Sequence, residues 1–225
     1  SRVYVTLNGY RWDDFTPYVY MSDDYGKTWK NISNNIPTSP VNVIREDLNN
    51  ENILYVGTDN GLYVSFNQGQ NWEAFSNGLP NVAMHDLVIQ SKTNDLVVGT
   101  HGRSIYKTNV TAFKDYSTIK DKAVHLFDIT PIGHSGYWGS SWSKWLEPYE
   151  PEKEMVFYTN SGGKATVNIL SKKGAVLNSF TADADKGFNY VNYDMTITEK
   201  GKKALKKENE DTHIVAKKNG KMYLP

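Results

Sequence analysis

Apolar and polar positions alternate along the first half of the chain in short runs broken by Gly, Asn, Asp and Ser, the two-residue period of half-buried strands. Val41-Asn-Val-Ile-Arg-Glu-Asp47 reads as one strand, Ile53-Leu-Tyr-Val-Gly-Thr58 as a second and Gly61-Leu-Tyr-Val-Ser65 as a third. A fourth follows over Trp72-Glu-Ala-Phe75. The pattern begins again at Met84-His-Asp-Leu-Val-Ile-Gln90 and continues through Asp95-Leu-Val-Val-Gly-Thr100 and Arg103-Ser-Ile-Tyr-Lys-Thr108. In front, Val3–Leu7, Tyr18–Ser22 and Trp29–Ile32 take the second, third and fourth places of an earlier copy, whose first strand is expected before Ser1. Helical periodicity does not compete before about residue 112, and Thr111–Lys122 is the stretch there that suits a short helix.

The copies keep a period. Gly57 and Gly99 are 42 positions apart, and Ser22, Ser65 and Thr108 are spaced 43 and 43. A fixed period marks one supersecondary unit stacked on the next and outranks any single-segment reading. Within it, Met21-Ser-Asp-Asp-Tyr-Gly-Lys-Thr-Trp29 returns 43 positions later as Val64-Ser-Phe-Asn-Gln-Gly-Gln-Asn-Trp72. Both fit Ser-x-Asp-x-Gly-x-x-Trp, with Asn67 in place of the Asp. A hairpin explains the spacing. A strand ends at Ser22 or Ser65, and Asp24 or Asn67 accepts hydrogen bonds from the turn's N–H groups. Gly26 or Gly69 supplies the positive φ, and Trp29 or Trp72 opens the next strand with its ring turned inward.

Four short strands in about 40 residues make one blade of a β-propeller. The first half therefore reads as one partial blade, one full blade and an atypical last blade, with Val124-His-Leu-Phe-Asp128 as that blade's expected outer strand. Because a ring closes with roughly 4–8 blades, the remaining blades are expected from the same protein or from another chain.

The repeated motif resembles the Asp-box of sialidase-like propellers. Leu79-Pro, His85-Asp-Leu-Val-Ile and Asp95-Leu-Val-Val-Gly-Thr-His-Gly-Arg-Ser-Ile-Tyr106 are similar, in that order, to the closing blade of a bacterial sortilin-like, Asp-box (BNR) repeat family. Members are often labelled glycosyl hydrolases, and xyloglucanases share the Asp-box architecture. The resemblance implies a connector after the closing blade and then a small C-terminal sandwich. Glu154–Tyr158, Ala165–Leu170 and Ala175–Phe180 alternate as its strands. Gly187-Phe-Asn-Tyr-Val-Asn-Tyr-Asp194 is similar to the family's Gly-Leu-Asn-x-Val-x-Trp-Asp, with Tyr193 where Trp is usual. Relatives place a final strand beyond a Tyr-Leu-Pro like Tyr223–Pro225, so the sandwich is expected to miss its last strand and to leave an edge for a partner. The fold class is thus all-β: the last two to three blades of a propeller over residues 1–129, an aromatic connector over 130–151, and an immunoglobulin-like sandwich over 152–225.

Composition narrows the function. Lys plus Arg and Asp plus Glu both number 25, so no net field argues for nucleic acid as a partner. No cysteine is present, which excludes disulfides and thiol chemistry, and aromatic content of 13% suits β-rich or carbohydrate-facing proteins. No apolar run reaches membrane-spanning length and no signal peptide is visible. The chain opens on Ser1 straight into a strand pattern, so it reads as part of a larger protein whose targeting sequence could lie upstream. The resemblance implies a secreted, periplasmic or cell-surface location.

In a propeller, Asp-box turns lie opposite the usual ligand face, so Asp24 and Asn67 are turn formers. Turns between second and third strands lie on the other face. Two are short, Asp59-Asn-Gly61 and His101-Gly-Arg103; the third is an insertion, Asn8–Pro17. Long loops on rigid scaffolds carry function. Tyr10, Trp12 and Phe15 could stack on a sugar or a peptide while Arg11, Asp13 and Asp14 hydrogen-bond to it; the alternative is that the aromatics pack on the neighbouring blade. Asp13 and Asp14 are weak catalytic candidates. Glycoside hydrolysis needs two carboxyls ~5–10 Å apart, and adjacent residues point apart, so a partner would have to come from a distant blade. His101 could act as acid, base or ligand and Arg103 could fork onto a carboxylate, or both could lock the closing blade. His85 starts an inner strand. His85, His101, His125 and His134 lack metal-ligand spacing, and no cofactor motif occurs. Tyr137, Trp138, Trp142, Trp145 and Tyr149 in the connector suit either a sugar platform or glue between the domains. Lys200–Lys207, followed by acidic residues, reads as a solvated loop.

Two function classes follow: a propeller protein binding a peptide or glycan through its loop face, or a xyloglucanase-like glycoside hydrolase whose catalytic carboxylates lie largely outside this chain.

Overall fold

Each period-two stretch becomes a strand, and each repeat an antiparallel meander. In the computed structural model, which describes residues 2–75 and 78–225, the first meander is β1 (Val3–Gly9), β2 (Asp14–Ser22) and β3 (Lys30–Asn31). The second is β4 (Val41–Glu46), β5 (Leu54–Thr58), β6 (Gly61–Ser65) and β7 (Glu73–Ala74), and the third is β8 (Met84–Gln90), β9 (Asp95–Thr100) and β10 (Ile105–Asn109). Together they form a compact unit ending at Thr118; a second unit begins at Ile119.

The meanders stack through apolar faces. Val19, Met21 and Ile32 of the first meet Val41, Ile44, Leu54, Val56 and Trp72 of the second in one buried cluster. The 42-residue glycine repeat has a packing cause at its first position. A Cβ on Gly57 would stand 2.8 Å from Val43 and 2.9 Å from Met84, so β5 lets β8 of the next repeat approach closely only because the side chain is missing.

Both Ser-x-Asp-x-Gly-x-x-Trp turns are closed by their own side chains. The Ser22 hydroxyl accepts the Gly26 N–H at 2.8 Å and donates to Asp24 at 2.8 Å, and Asp24 accepts both the Thr28 N–H and the Thr28 hydroxyl. Asn67 reproduces the pattern in amide form, accepting from the Ser65 hydroxyl at 3.0 Å and from the Asn71 N–H at 2.9 Å. Gly26 and Gly69 have φ of +85° and +79°.

The tryptophans of the two turns differ. Trp72 is buried, 4% exposed; its indole N–H donates to the Ile32 carbonyl at 2.8 Å, and the Asn35 amide brackets its backbone N–H and C=O at 2.8 Å each. Trp29 is 44% exposed, so the expectation of an inward ring holds for one turn and fails for the other. The cause is the neighbour. Residues Ile32–Asn35, where the first meander exits, make the socket for Trp72, and none of the described residues makes one for Trp29.

A second correction concerns the third meander, which ends at β10. After β10, a 3-10 turn over Thr111–Asp115 drives Phe113 against the rings of Tyr55, Phe66 and Phe75 at 6.1, 5.5 and 5.1 Å. That plug carries the chain away from the free edge of β10, through the single turn α1 (Tyr116–Ile119). The segment expected as the outer strand, β11 (Val124–Leu126), instead pairs antiparallel with β12 (Lys153–Thr159) of the second unit. Hydrogen bonds from the Tyr158 hydroxyl to the Lys120 carbonyl and from the Thr159 hydroxyl to the Ala123 carbonyl hold it there.

The second unit has two small antiparallel sheets. β13 (Gly163–Leu170) pairs with β14 (Val176–Ala184), and β12 is flanked by β11 and β15 (Gly187–Tyr193). The connector belongs to this unit. The Lys217 ammonium donates to the Gly136 carbonyl, Lys221 and Asn219 bind Glu150, and Trp138 packs buried beside Tyr223. Tyr137, Trp142, Trp145 and Tyr149 are exposed.

Lys200–Lys207 is helical, not a loop. α2 (Glu199–Glu208) starts where the Thr198 hydroxyl accepts the Gly201 N–H at 3.0 Å, an N-cap. A Cβ on Gly201 would stand 2.0 Å from the Leu177 carbonyl oxygen, so this glycine lets the helix lie against β14. Leu205 completes the contact with the small core of Leu177, Ile197 and Ile214.

Candidate ligand-binding face

The Asn8–Pro17 insertion is a lengthened hairpin rather than a slack loop. β1 runs on to Gly9 and β2 begins at Asp14, with a register shift between Leu7 and Gly9 that absorbs Phe15, Thr16 and Pro17. Pro17 has no N–H to give a ladder, which suits it to the irregular part of the pairing. The tip is a 3-10 turn, Tyr10–Trp12, closed by the Asp13 N–H on the Tyr10 carbonyl at 3.1 Å, with Asp13 left-handed at φ +61°. The Asn8 side chain starts it by accepting the Tyr10 N–H.

This tip presents aromatic surface. Trp12 is 81% exposed, and Tyr10 and Phe15 are about half exposed at 49% and 47%. The Arg11 guanidinium lies 5.8 Å from the Tyr10 ring centre and donates to its hydroxyl at 3.3 Å, which raises the Arg11 pKa. Asp14 faces the hairpin: it accepts the Thr16 N–H at 3.0 Å and the Tyr18 hydroxyl at 2.8 Å, and these bonds push its pKa down. Asp13 and Asp14, though adjacent, therefore do different work: one turns the backbone, the other ties the strand.

A chain of amides joins this hairpin to the next two repeats. The Asn8 amide donates to the Asn42 oxygen at 2.9 Å; the Asn42 amide donates to Asp59 at 2.8 Å and to the Met84 carbonyl at 3.3 Å. Asp59 belongs to the β5–β6 turn, and the His101 N–H of the β9–β10 turn donates to the Ala83 carbonyl. The three turns named from the sequence thus share one edge of the unit. His101 and His85 come together with ring centres 5.4 Å apart, and no group of three or more His, Asp or Glu among the described residues could hold a metal. Arg103 is exposed in a turn whose Ser104 has φ +96°, and among the described residues it makes no ion pair.

Beside this edge, strands β1, β4 and β8 line a cleft of about 510 Å³ bounded by Tyr4, Thr6, Asn42, Arg45, Glu46 and His85. The Tyr4 hydroxyl donates to Glu46 at 2.5 Å, and burial together with that carboxylate raises the tyrosine pKa. Arg2 reaches Asp23 at 2.8 Å and Glu46 at 3.1 Å, and the Asp23 bond raises its own pKa. Arg45 pairs with Asp86 across the cleft at 3.1 Å. These residues escaped the sequence reading because their partners lie about 40 positions away; the one available signal is that Asn42, Arg45 and Glu46 are polar in an otherwise apolar strand.

No helix among the described residues is long and apolar enough to cross a membrane. No curated protein and no solved structure matches the chain significantly. The Sortilin-Vps10 family, described as "Sortilin, neurotensin receptor 3", matches residues 17–219, which takes in both Ser-x-Asp-x-Gly-x-x-Trp turns, the second and third meanders and most of the second unit, but not β1. This chain belongs to the Sortilin-Vps10 family.

Proposed function

We propose that the chain is the C-terminal part of a secreted, periplasmic or cell-surface propeller protein that binds a peptide or glycan through the edge carrying Tyr10, Arg11, Trp12, Phe15, His101 and Arg103. In this reading residues 1–118 are the last blades, residues 119–225 are an immunoglobulin-like sandwich with its connector, and a preceding blade covers Trp29 as the first meander covers Trp72. Family membership points to a β-propeller-type binding protein.

The observation that carries the reading is the exposure of Trp12, 81%, at the tip of a hairpin whose turn is closed by the Tyr10 carbonyl and started by the Asn8 side chain. A large ring held in water by an ordered turn costs solvation without improving the fold, which is how binding loops on rigid scaffolds are built. The hydrolase alternative draws less support, because Asp14 is tied up in its hairpin and its pKa is moved in the wrong direction for a general acid. A peptide and glycan array, paired with a β-glucan turnover assay, tests the choice. The reading expects retention without turnover; turnover of a β-glucan would sink it.

A further inference from the structure

We infer that the outer face of α2, with the β13–β14 turn beside it, is a docking strip for a linear acidic polysaccharide. The balanced charge of the whole chain conceals an asymmetry: Ile119–Pro225 holds 16 Lys and no Arg against 13 Asp and Glu. Five of those lysines fall in the ten residues of α2: Lys200, Lys202, Lys203, Lys206 and Lys207.

Packing decides where they point. Gly201 and Leu205 face the core, and Glu208 accepts the Ser171 hydroxyl at 2.7 Å. At 3.6 residues per turn, Lys200, Lys203 and Lys207 then share one outward line, with Lys206 beside it, spanning about 10 Å at ~1.5 Å per residue. The Lys173 ammonium meets the end of the helix, donating to the Glu208 carbonyl at 3.2 Å, and Lys172 is exposed next to it. Ion pairs in this unit engage Lys164 and Lys221; among the described residues none engages the lysines of the strip.

Helix stability does not account for the pattern. Lys200 and Lys203, Lys203 and Lys206, Lys202 and Lys206, and Lys203 and Lys207 stand three or four positions apart, where like charges repel. Lys200 and Lys202 also lie in the first turn, where the helix dipole disfavours cations; Lys206 and Lys207 are placed where it welcomes them. A solvated face would more cheaply alternate its signs.

The ligand follows from what the strip has and lacks. It offers a line of ammonium point charges, which suits sulfate, phosphate or uronate groups strung along a chain. It has no arginine to fork onto a base edge and no aromatic ring on which a base could stack, so nucleic acid is a poorer fit. Its outward line has no apolar side chain to anchor in a bilayer.

The test uses the 225-residue chain against immobilised heparin, neutral dextran, duplex DNA and phosphatidylserine vesicles. Heparin should bind with an affinity that falls steeply with salt, and dextran should not bind. Lys200→Gln/Lys203→Gln/Lys207→Gln should weaken heparin binding on the order of tenfold and reduce the salt slope by about 2, at ~0.7 per charge removed. Its melting temperature should be unchanged or higher, since repulsion is relieved. Lys164→Gln/Lys186→Gln should bind as wild type, and so should a variant with Tyr10–Trp12 replaced, which separates this strip from the loop face. No heparin binding above dextran, an unaffected triple variant, or equally tight, lysine-dependent binding to DNA or vesicles overturns the inference.

Discussion

Truncating Trp29 and Trp72, the tryptophans of the two repeated turns, should have unequal effects, and the inequality measures how the repeats hold each other. Trp72→Ala removes a fully buried indole, leaves a cavity facing Ile32, and strands the Ile32 carbonyl that the indole N–H satisfies. Large aromatic-to-alanine changes in cores cost about 3–5 kcal/mol. Trp72→Phe keeps most of the apolar volume but still orphans the carbonyl, for about 1–3 kcal/mol. Trp29→Ala, with 44% of the residue already in water and no socket among the described residues, should cost on the order of 1 kcal/mol. Urea unfolding of the 225-residue chain followed by far-UV circular dichroism reads these differences. With m of roughly 1–3 kcal/mol per molar, Trp72→Ala should move the midpoint of the first unit by about 1–5 M and Trp29→Ala by well under half of that. Equal shifts for the two alanine variants would refute the socket argument.

Two further outcomes are open to simple measurement. Asp24 is held down to about 2 from its ordinary 3.8 by the Thr28 N–H, the Thr28 hydroxyl and the Ser22 hydroxyl. A depressed folded-state pKa means that the ionised turn adds stability above about pH 4 and loses it as pH falls through about 2. Asp24→Asn, which copies Asn67, should keep the turn but flatten that acid limb in pH-dependent melts; an unchanged limb would show that the carboxylate is not held as described. Gly201→Ala gains up to about 1 kcal/mol of helix propensity but drives a methyl into the Leu177 carbonyl, and overpacking typically costs about 1–3 kcal/mol. Its melting temperature should therefore fall, and a rise would mean that α2 does not lie against β14 as described.

The strands were legible because each is half-buried, and burial of one face writes period two into the residues. β6, β8 and β9 begin and end where the alternation does. The turns were legible too, since the side-chain hydrogen bonds that Ser22 and Asp24, and Ser65 and Asn67, make in shaping them all run to residues within four positions. What escaped depends on distant neighbours. Trp29 and Trp72 have equivalent local sequences, yet only the second has a repeat supplying a carbonyl and an amide from positions 32 and 35. Val124–Leu126 alternates like any strand, and only the Phe113 plug and the Tyr158 and Thr159 bonds decide which sheet it joins. α2 was hidden because a single leucine and a glycine make its buried face, too little apolar surface for a 3.6-residue period to be read. At the loop face the residue types could be chosen from sequence, whereas the Asn8–Asn42–Asp59 chain joining them spans three strand ends and could not.

Binding by the hairpin tip is the central claim, and one comparison tests it most directly. Peptides and uncharged glycans retained by the wild-type chain on an array are titrated against a variant in which Tyr10-Arg11-Trp12 is replaced by Gly and Ser, with melting temperature recorded alongside. Because these side chains lie largely in water, the account predicts that binding is lost while melting is unchanged. Binding at wild-type strength in that variant would contradict it.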